Sequence, residues 1–294
     1  MINIGRNGLW VGTLDQQPTS RVREVCAEIE AMGWPTLWRP ESIGRDALVA
    51  SATMLEATTT LNVATGIAQI HARHPQTTAA AQRTLHESSG GRFLLGLGVS
   101  HAPLIAGVRG LDYSTPYSDM VAYLDAMASG PFDAVAAPDE PDTVLAALGP
   151  RMLRLAADKT GGAHPYFVPP EHSAYARDIM GPDALLAPEQ MVVIASDRGQ
   201  ARELAKPHMA RYLALPNYAN NLLRLGFTEA DVAGPSDKLA DAIVACGTID
   251  HALERVREHH DAGADHVCLQ VLVADPTQLP IEVWRDLAAA LELR

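Results

Sequence analysis

The chain has 294 residues, 47% hydrophobic and 20% charged, with a formal net charge of −12. Such a composition supports a substantial folded core, and α/β barrels commonly occupy this length as one unit, so a single domain over residues 1–294 is expected. The acidic balance lacks the basic stripe that nucleic acid requires and would be repelled by an anionic membrane surface, so neither is expected as a partner.

Three widely spaced cysteines, Cys26, Cys246 and Cys268, form no CxxC pair, which argues against a disulfide framework or zinc. His71 and His74 fall three apart and His259 and His260 are adjacent, but no cysteine or clustered carboxylate completes a ligand set. No metal site is expected. The start, MINIGRNGLW, has no signal-peptide core, and no run approaches the ~20 apolar residues of a membrane helix. A cytoplasmic protein is the expectation.

In chain order, short apolar runs alternate with longer helical patterns. Ile2–Ile4 reads as the start of the first strand, with Leu9–Val11 as its continuation or a second edge segment. Val22, Val25, Ile29 and Met32 recur at helical spacing over 21–32, and Gly33 ends that helix. Strands follow at 36–39, 61–67 and 93–97, separated by helices at 46–58 and 76–88. These strand starts recur about every thirty residues, the length of one βα unit. Further on, 116–127 looks helical and 132–137 is either a strand or an excursion. Strands at 143–148, 163–168, 191–195 and 266–273 bring the total to eight, with helices at 151–157, 171–180, 198–213, 249–261 and 281–291. The stretch 212–245 breaks the rhythm with two short helices, 218–225 and 235–244, which would cover a barrel mouth or form a dimer contact. The alternation predicts an α/β fold with a parallel sheet, and eight unbroken units favour a closed (β/α)₈ TIM barrel over an open sheet with edges to protect.

Functional groups of such a barrel gather at the carboxyl ends of its strands. Those positions hold Glu41-Ser42, Thr65-Gly66-Ile67, Gly98-Val99-Ser100-His101, Gly149-Pro150-Arg151-Met152 and His164. Gly96-x-Gly98-x-x-His101 lacks the third glycine of a dinucleotide fingerprint and reads better as a glycine pair permitting close approach. Gly149–Met152 opens a helix directly after a strand, where free amides favour an anion; a plain strand–helix turn reads equally well. Glu41 could hydrogen-bond a ligand or simply be a loop carboxylate. His71, Arg73 and His74 could line a pocket or a wet loop.

Together these segments resemble the luciferase-like monooxygenase superfamily, and within it the F420-dependent oxidoreductases of actinobacterial type. The resemblance rests on LWRPESIGRDAL (38–49), NVATGIAQIHARHPQTTAAAQRTL (62–85), GGRFLLGLGVSHAP (90–103), ALGPRMLRLAADKTGGAHPYFVPPEH (147–172) and AGADHVCLQVL (262–272), in that order. It implies a non-prolyl cis peptide at Gly66-Ile67, after Thr65, behind a deazaflavin ring. It implies Gly98, Val99 and Ser100 beside the cofactor, and a phosphate grip at Gly149, Pro150, Arg151 and Met152, although Pro150 has no N–H to offer. Glu41 would face the ring edge, and His164 lies near the sixth strand. Homodimers are usual in the family, so a homodimer is the expectation.

The sugar-phosphate dehydrogenases of that family carry a histidine after the second-strand acid and a glutamate after the fourth-strand glycine pair. Here Ser42 and Val99 stand there, which disfavours glucose-6-phosphate chemistry and leaves Glu41, His71 and His101 as candidate proton carriers. Coenzyme F420 is the expected cofactor and FMN, in a monooxygenase, the alternative. A non-catalytic F420-binding protein is the second alternative. Trp10, Trp38 and 212–225 are expected to wall or cover the pocket, or simply to pack.

Overall fold

Neighbouring side chains on a strand point to opposite faces of its sheet, and here each face has its own cluster. Strands β1 (Asn7–Trp10), β2 (Thr36–Arg39), β3 (Asn62–Thr65) and β5 (Phe93–Gly98), with the two-residue β4 (Ala68–Gln69) between the last two, run parallel. Leu9, Leu37, Val63 and Phe93 lie on one face and pack, fully buried, with Val22, Val25 and Ile29 of the helix Thr19–Ala31. Trp10, Trp38, Ala64 and Leu94, in register with one another across the four strands, lie on the other and form an inner cluster with Val144 and Cys268. Ala64 beside Trp38 balances volume within that inner level. Full burial of each large apolar side chain contributes about 1.5–3 kcal/mol.

The structure is a computed structural model that describes residues 2–275 and 277–293. The sheet continues through β6 (Thr143–Leu145), β7 (Gly162–Ala163), β8 (Leu185–Leu186), β9 (Glu189–Ile194), β10 (Val244–Gly247) and β11 (Val267–Val271). Its order is β10-β9-β11-β1-β2-β3-β5-β6-β7-β8, with β4 on β5, and every ladder is parallel. Only Ala187 and Pro188 separate β8 from β9. Ala187 N donates to Ala163 O and Glu189 N to Pro165 O, while Pro188 O accepts from Cys268 N. The run 185–194 thus meets β7 on one edge and β11 on the other, and the sheet curls back on itself. Helices separate the strands, the longest of them Pro75–Ser89 and Arg198–Leu213. No helix among the described residues is long and apolar enough to cross a membrane.

Several element boundaries differ from the sequence reading. Ile2–Ile4 is not a strand; the chain turns at Gly5 (φ +70°), where Pro35 occupies the space a side chain would need, and pairing starts at Asn7. The expected strand 163–168 stops at Ala163, because Pro165 has no N–H and Phe167 takes φ +60°. The strand expected over 143–148 ends at Leu145, and 132–137 carries no strand. β8 and β10 went unrecognised: Val244 ends the expected helix 235–244 on paper, but the helix Asp237–Ile243 gives way there to a strand paired with β9. The regular count of eight strands is therefore replaced by eleven paired segments among the described residues.

Candidate active site

At the carboxyl ends of these strands lies a cavity of about 400 Å³. Its floor begins with the bulge after β3, where the Gly66-Ile67 peptide bond is cis. Glycine is required at this point by close approach: a Cβ on Gly66 would stand 2.8 Å from His164 Nε2 and 2.9 Å from Trp10 Nε1. Trp10 Nε1 donates to Gly66 O (3.1 Å), and Ile67 packs over Gly98, whose Cβ would come within 2.6 Å of Ile67 Cδ1. Thr65 lies beneath, its hydroxyl donating to Gly96 O and accepting from Gly96 N, both at 2.8 Å. Thr65 and Gly98 therefore shape the floor from behind without lining it.

Glu41 lines the cavity, but both its oxygens are occupied. Arg73 donates to each of them, Ala47 N donates to Oε1 (3.1 Å) and Gln69 N to Oε2 (2.8 Å). Its backbone N–H reaches Ile67 O (3.1 Å). A carboxylate saturated in this way fixes the loop around the bulge and has no lone pair directed at a ring edge, the role the resemblance implied.

His164 is fully buried and stacked on Trp38, ring centroids 4.2 Å apart. Its Nδ1 lies 2.7 Å from Ala187 O, and a carbonyl only accepts, so Nδ1 carries the proton and Nε2 is a bare, unpartnered acceptor beneath Gly66. Burial depresses its pKa to about 4 and keeps it neutral. Trp38 also donates to His266 Nε2 (3.0 Å), so this tryptophan packs inside the sheet and does not cover the cavity.

His101, with Val99, Ser100 and Leu104, forms one wall. Burial lowers its pKa below the ordinary histidine value, partly offset by the nearby side chain of Asn217. Its ring stands 5.4 Å from that of Tyr218. Tyr212, Leu215, Asn217 and Tyr218 complete the wall from the 212–225 stretch. Tyr166 was missed by sequence reading; its hydroxyl lies 2.9 Å from Tyr212 Oη and 2.7 Å from Gln270 Oε1. It belongs to the segment read as strand, so nothing in the pattern marked it as turned into a pocket.

His71 does not line the cavity. It sits beside Tyr113 and 3.9 Å from Asp119, its pKa lowered by burial. At the far end, Gly149 and Met152 line the cavity at the start of the helix Pro150–Lys159, which has no side-chain cap. Pro150 and Arg151 do not; the Arg151 guanidinium lies over the Tyr117 ring, 4.0 Å from its centroid. The cation near the helix start is instead Arg224, which sequence reading missed, its Nη2 4.0 Å from the position a Gly149 Cβ would take.

A curled parallel sheet with a cis bulge after its third strand and a pocket at its carboxyl edge is a specific arrangement, and the sequence carries a matching signature: the family model for luciferase-like monooxygenases matches residues 5–266. The chain belongs to the luciferase-like monooxygenase family. It is 27% identical to the protein of Mycobacterium tuberculosis named "Putative coenzyme F420-dependent oxidoreductase Rv3520c", over 96% of this chain and 97% of that one. In fold it is similar to an F420-dependent secondary alcohol dehydrogenase solved with an F420–acetone adduct (TM-score 0.78, 15% identity, 98% of each chain). It is also similar to the coenzyme F420-dependent tetrahydromethanopterin reductase of Methanopyrus kandleri (TM-score 0.73, 16% identity, 99% of this chain and 100% of that one).

Proposed function

We propose that this luciferase-like protein is an F420-dependent oxidoreductase, built on a (β/α)₈ barrel whose eight staves are β1, β2, β3 with β4, β5, β6, β7, the run 185–194 and β11, with β10 paired to β9 outside the ring. The observation that carries the reading is the cavity itself: a floor of Gly66-Ile67, a proton-carrying candidate in one wall and an uncapped helix start at the far end. The named relative and the F420-dependent neighbours support it.

The residues present fit such a cofactor. A Cβ on Gly149 would have no atom nearer than Arg224 Nη2 at 4.0 Å, so the helix start opens onto free space. Its free amides and Arg224 suit the phosphate of the tail. Gly66, Ile67, Val99 and Ser100 would border the ring, with His164 beneath the bulge. The bound deazaflavin would accept or supply a hydride.

His101 is the side chain suited to the accompanying proton. Held neutral by burial, it takes the hydroxyl proton when an alcohol carbon is oxidised, and returns it in the reverse direction. Asn217 lines the same wall of the cavity as the imidazole. Glu41 and Arg73 keep the bulge in place, and the Tyr166–Tyr212–Tyr218 cluster shields the site from water.

Titration of the purified protein with F420 and with FMN, read by quenching of Trp10 in the cavity wall, tests the assignment. Saturable micromolar binding of F420 is expected. Micromolar FMN binding without F420 binding overturns it in favour of a flavin enzyme, and tight F420 binding without hydride exchange over a panel of ketones, imines and enones favours a non-catalytic binder.

A further inference from the structure

Behind the wall formed by Trp10 and Tyr212 lies a second cavity, of about 790 Å³. It opens between the ends of β1 and β11 and the helix Arg198–Leu213. Val11, Leu204, Leu272, Val273 and Trp284 give it an apolar body. Arg211 is the only formally charged side chain among the described residues that line it.

Arg211 differs from several partly or fully buried arginines of this chain. Arg39, Arg73, Arg177, Arg202 and Arg255 each meet a carboxylate within 4.0 Å. Among the described residues, no carboxylate stands within that distance of Arg211. Its Nη2 donates to His208 Nδ1 (2.7 Å), which restrains the guanidinium at the cavity edge and places the imidazole proton on Nε2. Burial holds the His208 pKa near 4, so the imidazole remains an acceptor for Arg211 and adds no charge of its own. In a chain of net charge −12, a cavity lined by one cation and no acid is a local reversal of sign. A planar guanidinium with free N–H groups at the rim of an apolar chamber matches a carboxylate on a hydrophobic body.

We propose that this second cavity binds an amphipathic organic carboxylate, its apolar body against Val11, Leu272 and Trp284 and its carboxylate on Arg211. That the ligand is the oxidoreductase substrate, with its reacting end passing the Trp10–Tyr212 wall into the first cavity, rests on the function proposed above. The binding claim does not.

The test uses 4-phenylbutyrate and its methyl ester as probes, with binding to the cofactor-free protein read by tryptophan fluorescence, since Trp10 and Trp284 both line the cavity. The carboxylate is expected to saturate and to bind at least tenfold tighter than the ester. Arg211→Ala should weaken the carboxylate at least tenfold and leave the ester unchanged, with an unaltered melting temperature because the side chain is exposed. Leu272→Trp, which fills the chamber, should weaken both probes. Absence of saturation, equal binding of acid and ester, or an Arg211→Ala protein that binds the acid as well as wild type overturns the proposal. A further arm adds F420: simultaneous binding supports a separate ligand, whereas displacement of phenylbutyrate assigns the anion site to the cofactor's own tail and overturns it. Failure of F420 to bind, with phenylbutyrate still held by Arg211, refutes the proposed function and leaves the carboxylate site standing.

Discussion

Arg73 grips both carboxylate oxygens of Glu41, and Glu41 in turn holds the amides of Ala47 and Gln69. Both side chains are nearly shut off from solvent, 11% and 4% exposed, so this pair is not the weak surface kind. It ties the loop after β2 to the bulge after β3 and so fixes the floor of the cavity.

Removal of one partner should therefore be costly in two ways. Glu41→Ala leaves Arg73 with only the half-exposed Asp46 and strands two backbone amides. A loss of about 3 kcal/mol is expected in denaturant unfolding. F420 affinity should fall at least tenfold with it. Equal stability and unchanged affinity in Glu41→Ala would show that the pin is dispensable.

Gly66→Ala places a methyl group 2.8 Å from His164 Nε2 and 2.9 Å from Trp10 Nε1. His164 is stacked on Trp38 and bonded to Ala187, so it cannot retreat cheaply. Overpacking of this kind costs about 1–3 kcal/mol. The diagnostic readout is cofactor titration, in which Gly66→Ala should lose binding more severely than its drop in melting temperature suggests.

If His101 moves the proton, His101→Gln should lower kcat by about 10²–10⁴-fold and leave F420 binding within a few-fold of wild type. Burial lowers the His101 pKa, so the neutral, proton-accepting form persists below pH 6.5. The acidic limb of the kcat/KM profile for alcohol oxidation should accordingly have its midpoint below pH 6.5. That acidic limb should vanish in His101→Gln; its survival there would assign the proton to another group.

Stability should depend on pH through groups buried in their neutral forms. His164 and His172 are held near 4, and His259 and His266 near 3, by burial against an ordinary value of 6.5. Between those values the unfolded chain binds protons that the folded one refuses, so stability falls as pH drops from 6.5. Each group contributes about 1.4 kcal/mol per pH unit in its window. Glu189 acts oppositely. Burial raises its pKa from 4.5 to about 8, so its contribution is full below 4.5 and is lost as pH rises through 8. Urea unfolding from pH 4 to 9 should show both limbs, and Glu189→Gln should remove the alkaline one alone.

Much of the architecture was legible in the residues, because periodicity is a local property. The helical spacing of Val22, Val25 and Ile29 located a helix whose apolar stripe is indeed buried. The glycines and breakers around 65–67 and 149–152 marked strand ends that border the cavity, and the cis peptide at Gly66-Ile67 fell where the resemblance implied. What local pattern could not carry was the partner of each group. Glu41 and His101 read alike as polar residues at strand ends, yet Arg73, far along the chain, saturates one, while Asn217 and Tyr218 border the other. Arg151, adjacent to the helix start in sequence, turns onto Tyr117, and Arg224 approaches Gly149 from a different helix. Short strands such as β8 and β10 exist because a neighbour supplies their hydrogen bonds, not because two to four residues prefer that conformation. The sequence by itself thus determined the rhythm of strands and helices and the chemical types at the sheet's edge. Only the tertiary structure decided which of those side chains are saturated and which face the cavities, since both depend on contacts between residues distant along the chain.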